Sequence, residues 1–458
     1  MSAIRKAFST ERATLWHGDC ANIASVIAPE SIDAIVTDPP AGISFMGKAW
    51  DGDKGGRDQW IAWLRDVMRT AMGLLKPGGH ALVWALPRTS HWTATAIEDA
   101  GFEIRDVVVH LFGTGFPKSL DVSKAIDDAA GAKRETSPTT RMAVGSDVGT
   151  ISRNQRCAVC EKPRQSADPC RCPRDSGPAT PDAARFTGVG TALKPGHEAW
   201  ILARKPLAGT VAANAIAYGT GGLRIDDCRI GGVDTRAPTG GSPDGSGWGT
   251  KSGAIAGSAL GRFPANVTLD EESAAMLDEM SGSLTSGMMR AGTPRGPQGE
   301  VYQKGFTGQP MERDTYADTG GASRFFYVAK APRAEKDAGL DHLPLRTGGD
   351  ATDGGNGGVR NHHPTVKSIA LMRWLCRLIT PPGGIVLDLF AGSGTTGLAA
   401  LAEGLRFVGV EREAEFVDIA AGRLAHVECV AVPEMAQGDA AKSEPLQPSL
   451  FGSIGGAR

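Results

Sequence analysis

LDLFAGSGTTG, residues 387–397, is the stretch on which the fold turns. An apolar run ends in Asp388, glycines follow at Gly392-x-Gly394-x-x-Gly397, and an alanine- and leucine-rich segment starts at once. This is the pattern of a strand, a glycine turn and a helix entry. Glycines let a backbone approach a ligand closely, and a helix N-terminus offers N–H groups without intrahelical partners. Glu411 ends the next apolar run, 23 residues after Asp388, where an acid can take ribose hydroxyls. Alone, the pattern also fits a dinucleotide fingerprint, and a plain tight turn is its bland rival.

Topology separates these readings. A dinucleotide fold needs further strands after Glu411, but only 47 residues remain, and the tail from 430 is polar and reads as disordered. The missing strands lie at the other end of the chain. There, 13–19 and 32–38 read as buried strands ending in acids, 57–75 as a helix stopped by Lys76-Pro77-Gly78-Gly79, and 80–86 as a strand. A helix over 90–101 and a strand over 102–113 follow. The C-terminal part repeats the alternation, with a helix over 369–380, strands over 385–390 and 406–412, and a helix over 413–424. Placing the C-terminal unit ahead of the N-terminal one gives one doubly wound, Rossmann-like α/β fold with a parallel sheet, circularly permuted. It also sets Asp38 beside the glycine loop, since both lie at carboxyl ends of strands in one sheet.

Composition limits the alternatives. With 458 residues, 41% of them hydrophobic, the chain is long enough for two or three domains and a sizeable core. Its 49 basic and 51 acidic residues nearly cancel, so any nucleic-acid site must be a local basic patch. No apolar run approaches 18 residues, and the N-terminal segment lacks the apolar core of a secretory leader, so a cytoplasmic protein without a membrane span is expected. The 61 glycines concentrate in the middle of the chain, which argues for long loops over 126–361. Islands of order interrupt them at 199–206, 261–270 and 322–330, the last read as a core strand. No internal repeat is present.

These residues resemble the permuted (beta-class) DNA amino-methyltransferases, which use S-adenosylmethionine. The resemblance rests on Asp38-Pro39-Pro40, on His363-Pro364-Thr365-Val366-Lys367, and on the stretch from Leu387 to Thr396, with support from Gly18-Asp19, Leu75-Lys76-Pro77-Gly78-Gly79 and Gly115-Phe116-Pro117-Lys118. It covers roughly 13–125 and 360–425. It implies a catalytic half (1–125), a target-recognition region (126–361), a cofactor-binding half (362–428) and a tail (429–458). It implies that Asp388 and the loop Phe390, Ala391, Gly392, Ser393, Gly394 and Thr395 hold the methionine part of S-adenosylmethionine. Glu411 would take the ribose hydroxyls, and Asp19, with Cys20 beside it, the adenine amino group. Thr365 and Lys367 would lie near the cofactor carboxylate. Ser368 stands where the family often has proline. The bland rivals are a turn cap for Asp388, a solvated strand-end acid for Glu411 and a surface lysine for Lys367. The resemblance further implies double-stranded DNA as substrate and a bacterial or phage origin; a restriction partner, a homodimer and an RNA substrate stay open.

Asp-Pro-Pro suits methylation of an exocyclic amine. That nitrogen is a poor nucleophile because its lone pair is delocalised into the ring. The Asp38 carboxylate and the Pro39 carbonyl are two acceptors for its N–H bonds, and Pro40 stiffens the carbonyl's direction. Preorganised acceptors of this kind stabilise the transition state without reorganisation. A base reacting this way must be flipped from the duplex, and an aromatic side chain replaces its lost stacking at about 1–3 kcal/mol. The family usually has an aromatic where this chain has Ala41. Phe45 is the expected substitute, with Trp50 second; the rival is that both merely anchor their loop. The aspartate favours adenine N6 over cytosine N4. Ala41 alone supports the alternative of a nucleic-acid-binding protein with a decayed site.

Two further features stand apart. Cys157, Cys160, Cys170 and Cys172 have spacing compatible with a tetrahedral zinc knuckle, the rival being reduced unpaired thiols. Arg153, Arg156, Lys162, Arg164, Arg171 and Arg174 surround them, as in a phosphate-contacting module. In the tail, QPSLF at 447–451, from Gln447 to Phe451, looks like the peptide by which bacterial replication proteins dock on a sliding clamp.

Overall fold

The computed structural model describes residues 4–44, 49–113, 115, 119–134, 177–231, 260–286, 318–329, 337–345, 360–363 and 366–429. The chain forms two compact units, 1–111 with 198–458, and 112–197. In chain order the strands are β1 (Arg5–Ser9), β2 (Ala13–His17), β3 (Ile32–Thr37), β4 (Leu75–Ala85), β5 (Glu103–Leu111), β6 (His197–Arg204), β7 (Val267–Asp270), β8 (Leu284–Ser286), β9 (Asp318–Gly320), β10 (Tyr327–Ala329), β11 (Ile385–Asp388) and β12 (Arg406–Glu411). The helices are α1 (Arg57–Leu74), α2 (Ser90–Asp99), α3 (Val122–Ala129), α4 (Pro181–Arg185), α5 (Val211–Tyr218), α6 (Glu271–Ser281), α7 (Ile369–Ile379), α8 (Thr395–Ala402) and α9 (Ala414–Cys429).

Ten strands form one sheet in the order β1-β2-β12-β11-β3-β4-β6-β5-β7-β10. The permuted splice is visible at its centre, where β11 runs parallel to β12 on one side and to β3 on the other. The fold is the doubly wound Rossmann-like one expected, with two corrections. The sheet is mixed, because β6 runs antiparallel to β4 and β1 antiparallel to β2. Three strands from within 126–361, namely β6, β7 and β10, also belong to this sheet, so that segment is not wholly a separate recognition region. Short apolar islands between glycine-rich tracts show no helix–strand alternation, and nothing in such a pattern reveals which sheet they join.

Alternation along the central strands splits the core between the two faces. Ala34 and Val36 of β3, Leu82 of β4 and Val386 of β11 pack on the side covered by α7, α8 and α9. Ile35, Ala81, Val83 and Leu387 face α1 and α2. Every residue of β3 is buried, as a central parallel strand covered on both faces requires. Helix α1 presents one stripe, Trp60, Leu64, Val67, Ala71 and Leu74, at helical spacing. It ends at Leu74 as expected, but the Lys76–Gly79 stretch is not a free turn. Ile32 pairs with Leu75 and Ala34 with His80, so these residues bulge within β4, with Gly78 at φ +72°. Asn214 of α5 fills that bulge, donating to the Pro77 carbonyl at 3.0 Å.

In the 112–197 unit, buried Asp127 of α3 accepts from Arg134 at 2.6 Å, from the Ala179 and Thr180 N–H groups at 3.0 Å, and from the Thr180 hydroxyl at 2.7 Å. These bonds draw the carboxyl well down, to about 2, against the opposing effect of burial. Arg134 and residues 179–180 are thereby held together. The four cysteines lie outside the described residues, as do the clamp-like peptide, Phe45, Thr365 and the tail beyond 429.

Candidate active site

Four adjacent strands, β2, β12, β11 and β3, point their carboxyl ends at one edge, and each ends in or just before an acid: Asp19, Glu411, Asp388 and Asp38. Parallel pairing aligns them. Glu411 lies opposite His17, and Asp388 opposite Gly409.

Asp388 is 2% exposed and shapes the turn. It accepts from the Thr37 hydroxyl at 2.7 Å, the Thr396 hydroxyl at 2.6 Å and the Phe390 N–H at 3.0 Å. Burial pushes it up to about 6, while these three donors oppose the shift. Thr37, fully buried at the end of β3, thus ties the Asp-Pro-Pro strand to the glycine loop. Glu411 accepts the Gly392 N–H at 2.7 Å and the Glu413 N–H at 2.8 Å, one on each oxygen. Each oxygen keeps a further lone pair for a hydroxyl donor.

The glycine loop fits a ligand held by backbone. Gly394 caps α8 at φ +76°, and no side chain satisfies the first N–H groups of that helix. A Cβ on Gly392 (φ +51°) would lie 2.7 Å from His363 Nε2. Arg423 of α9, buried, fixes the loop from beneath through the Ser393 carbonyl at 2.6 Å and the Thr395 hydroxyl at 3.0 Å. Asp19 is exposed and accepts the Ala21 N–H at 3.0 Å, capping the short helical turn that begins at Cys20. Burial pushes the Cys20 thiol up to about 12, so it stays protonated. The residues present therefore fit S-adenosylmethionine: uncapped amides for its anionic end, Glu411 for ribose and Asp19 for the base.

Asp38 follows β3 directly and is partly exposed, while Pro39 is buried. Lys367 donates to Asp38 Oδ2 at 2.7 Å. The lysine thus sits on the Asp-Pro-Pro acid, a contact that sequence reasoning did not assign to it. Burial pushes the Asp38 carboxyl up, with Lys367 opposing. For Lys367, burial is outweighed by Asp38 and Glu198, so its ammonium is held above the ordinary lysine value. Ser368, the departure from the family's proline, caps α7 by accepting the Leu371 N–H.

The loop after Asp-Pro-Pro is stapled by Asp51, which is buried. Its side chain accepts the Gly42 N–H at 3.1 Å and its carbonyl accepts the Ser44 N–H at 2.8 Å. Trp50 is half-buried beside it. Sequence reasoning missed Asp51, Thr37, Arg423, Trp84 and Glu198. Thr37 had a readable signal, as the last residue before the acid; Glu198 had none, because nothing marks β6 as antiparallel and so as starting at the catalytic edge. Arg324 stacks on Phe325 at 4.3 Å, while Tyr327 stacks on Trp374 in the core at 5.6 Å.

The fold and site define a doubly wound α/β protein with a glycine loop beside an Asp-Pro-Pro acid. Residues 311–422 match the family model N6_N4_Mtase, described as DNA methylase. The chain is 44% identical over 63 residues to DNA adenine methyltransferase YhdJ of Escherichia coli (strain K12), which covers 14% of this chain and 21% of that protein. It is 43% identical over 67 residues to the methylase YubD of the same organism, covering 15% and 30%. The chain thus spans under a third of the length of these curated relatives. A solved structure, the PvuII DNA methyltransferase (cytosine-N4-specific), aligns with a TM-score of 0.42 and 11% identity over 92% of this chain and 88% of that one. Among the described residues no helix is long and apolar enough to cross a membrane, and no three His, Cys, Asp or Glu side chains form a metal-binding group.

Proposed function

We propose that the protein is a DNA methyltransferase that modifies the exocyclic amino group of a flipped-out base, adenine N6 first. The carrying observation is the bond from Thr37 to Asp388, which locks the Asp-Pro-Pro strand to the cofactor loop. S-adenosylmethionine, when bound, supplies a methyl group on a positive sulfonium, a leaving group that needs neither metal nor strong base.

The chain's own residues do the rest. Asp38 and the Pro39 carbonyl accept the two amino N–H bonds, freeing the nitrogen lone pair to take the methyl group that the bound cofactor would supply. The excess amino proton passes to Asp38 and on to solvent. The glycine loop and Glu411 fix the reacting partners in line, and that positioning supplies much of the rate. Adenine is favoured by the aspartate in Asp-Pro-Pro and by the similarity to the DNA adenine methyltransferase YhdJ. Phe45 or Trp50 stacks on the flipped base.

Methylation-sensitive sequencing of DNA from cells expressing the protein tests this. Methyl on adenine N6 at a fixed sequence, absent with Asp38→Ala, is the expected result; methyl on cytosine N4 would reassign the base, and unmodified DNA would defeat the reading. The cysteines at 157–172 are proposed to hold structural zinc within the recognition region. About one zinc per chain in purified protein supports this, and less than about one-tenth overturns it. The peptide at 447–451 is proposed to dock on a sliding clamp, and clamp capture unaffected by its deletion would end that idea.

A further inference from the structure

Lys367 is held on three sides. Its ammonium lies 2.7 Å from Asp38 Oδ2, 3.9 Å from Glu198 Oε2 and 4.5 Å from the centre of the Trp84 ring. Trp84 Nε1 donates to the same Glu198 oxygen at 2.8 Å. The side chains of Lys367, Glu198 and Asp38 are 14%, 17% and 24% exposed, so their charges act through poorly screened surroundings. Each member comes from a different place: Asp38 from the end of β3, Trp84 from β4, Glu198 from the start of β6 and Lys367 from the segment before α7. The antiparallel direction of β6 is what brings its first residues to the edge where β3 and β4 end, with Ala199 opposite Ala85.

This arrangement addresses a difficulty in the chemistry. Asp38 must accept an amino N–H, yet its carboxylate already carries an ammonium. A cation fully committed to Asp38 weakens that acceptor and lies close to a nitrogen that becomes positive as the methyl arrives. A second carboxylate changes this, because two anions around one cation leave a net negative charge facing the amine. We propose that Glu198 is a positioning residue for methyl transfer: anchored by the Trp84 indole, it shares Lys367 with Asp38 and leaves Asp38 a competent acceptor for the substrate amine. The inference rests on the methyltransferase reading. Other charges bear on the group. Asp51 acts on Asp38 and Asp388 on Lys367, while His110 of β5 lies within electrostatic reach of Glu198 and Lys367 and is itself acted on by Asp270 of β7.

The test is transfer of radiolabelled methyl from S-adenosylmethionine to DNA by the full chain, followed across pH. Glu198→Gln keeps an acceptor for Trp84 and the side-chain shape but loses the charge. It should lower kcat roughly tenfold with KM for the cofactor changed less than about threefold. With the neighbouring anion gone, the acid limb of kcat/KM should move to lower pH. Glu198→Asp should return the limb toward its wild-type position. Trp84→Phe, which keeps the ring and removes the N–H, should shift the limb the same way by less, and it decides the matter if Glu198→Gln does not fold. A Glu198→Gln enzyme with wild-type kcat and an unmoved acid limb overturns the inference. So does a lower kcat with an unmoved limb, which is what lost packing alone would give. Wild-type protein that methylates no DNA would overturn the methyltransferase reading and this inference with it; active wild type with an indifferent Glu198 overturns the inference alone.

Discussion

Gly392→Ala strikes the cofactor loop at a point where two costs can be separated. The residue sits at φ +51°, where alanine costs about 1–2 kcal/mol relative to its preferred regions. The added methyl would also meet His363 Nε2 at 2.7 Å, against 3.4 Å or more for ordinary contact. His363 cannot easily yield. Its ring packs edge-on against Phe416 with centroids 4.5 Å apart, and its N–H donates to Asn361 Oδ1 at 3.2 Å. Overpacking of this kind costs about 1–3 kcal/mol. The sum is roughly 2–5 kcal/mol, so S-adenosylmethionine affinity should fall at least about 30-fold or the unfolding free energy should drop by an equivalent amount. A double-mutant cycle with His363→Ala isolates the steric part. In that background Gly392→Ala should cost only about 1–2 kcal/mol, the backbone share. Calorimetric cofactor titration and urea unfolding of the four proteins measure both. Wild-type affinity and stability for Gly392→Ala, or no recovery with His363→Ala, would refute this account of the loop.

Asp388 has a folded-state value of about 6 against 3.8, so ionisation opposes folding. The penalty is absent below about pH 4, grows as pH rises through 6 and then levels off at roughly 3 kcal/mol. Asp388→Asn, whatever its constant offset from lost hydrogen bonds, should therefore gain about 1.3 kcal/mol on wild type between pH 5 and 7 in urea unfolding; parallel pH profiles would contradict the assignment. Asp127→Ala should loosen the hold between Arg134 and residues 179–180, seen as faster hydrogen exchange of the Ala179 and Thr180 amides; because the wild-type carboxyl is depressed to about 2, the difference should persist at neutral pH and shrink as pH falls from about 4 toward 2. Phe45→Ala should weaken DNA binding and turnover through about 1–3 kcal/mol of lost stacking, and unchanged values for both would transfer the role to Trp50.

The permutation could be read from the strands missing after Glu411 and found at the other end of the chain, because parallel buried strands are continuous apolar runs and their acids mark the carboxyl ends. What could not be read is pairing direction. The run AWILA in β6 has the composition of any buried strand, and only its antiparallel register against β4 brings Glu198 to the site. Lys367 could be singled out from its motif but not as the partner of Asp38, since its segment meets β3 only in three dimensions. The sequence marks Asp388 as the acid before the glycine turn, yet only the fold shows the three donors through which it organises that turn.

The central bond of the site, from Thr37 to Asp388, joins residues 351 positions apart. At about 5–20 residues per second of synthesis, β3 waits roughly 20–70 s on the ribosome before β11 exists to cover its edge. Through that interval an apolar strand destined for complete burial has an open hydrogen-bonding edge, and the acid it carries has no cofactor loop beside it. The order of genes' reading thus makes the two halves of the site meet last. The Thr37–Asp388 bond cannot form until the segment carrying β11 has been made.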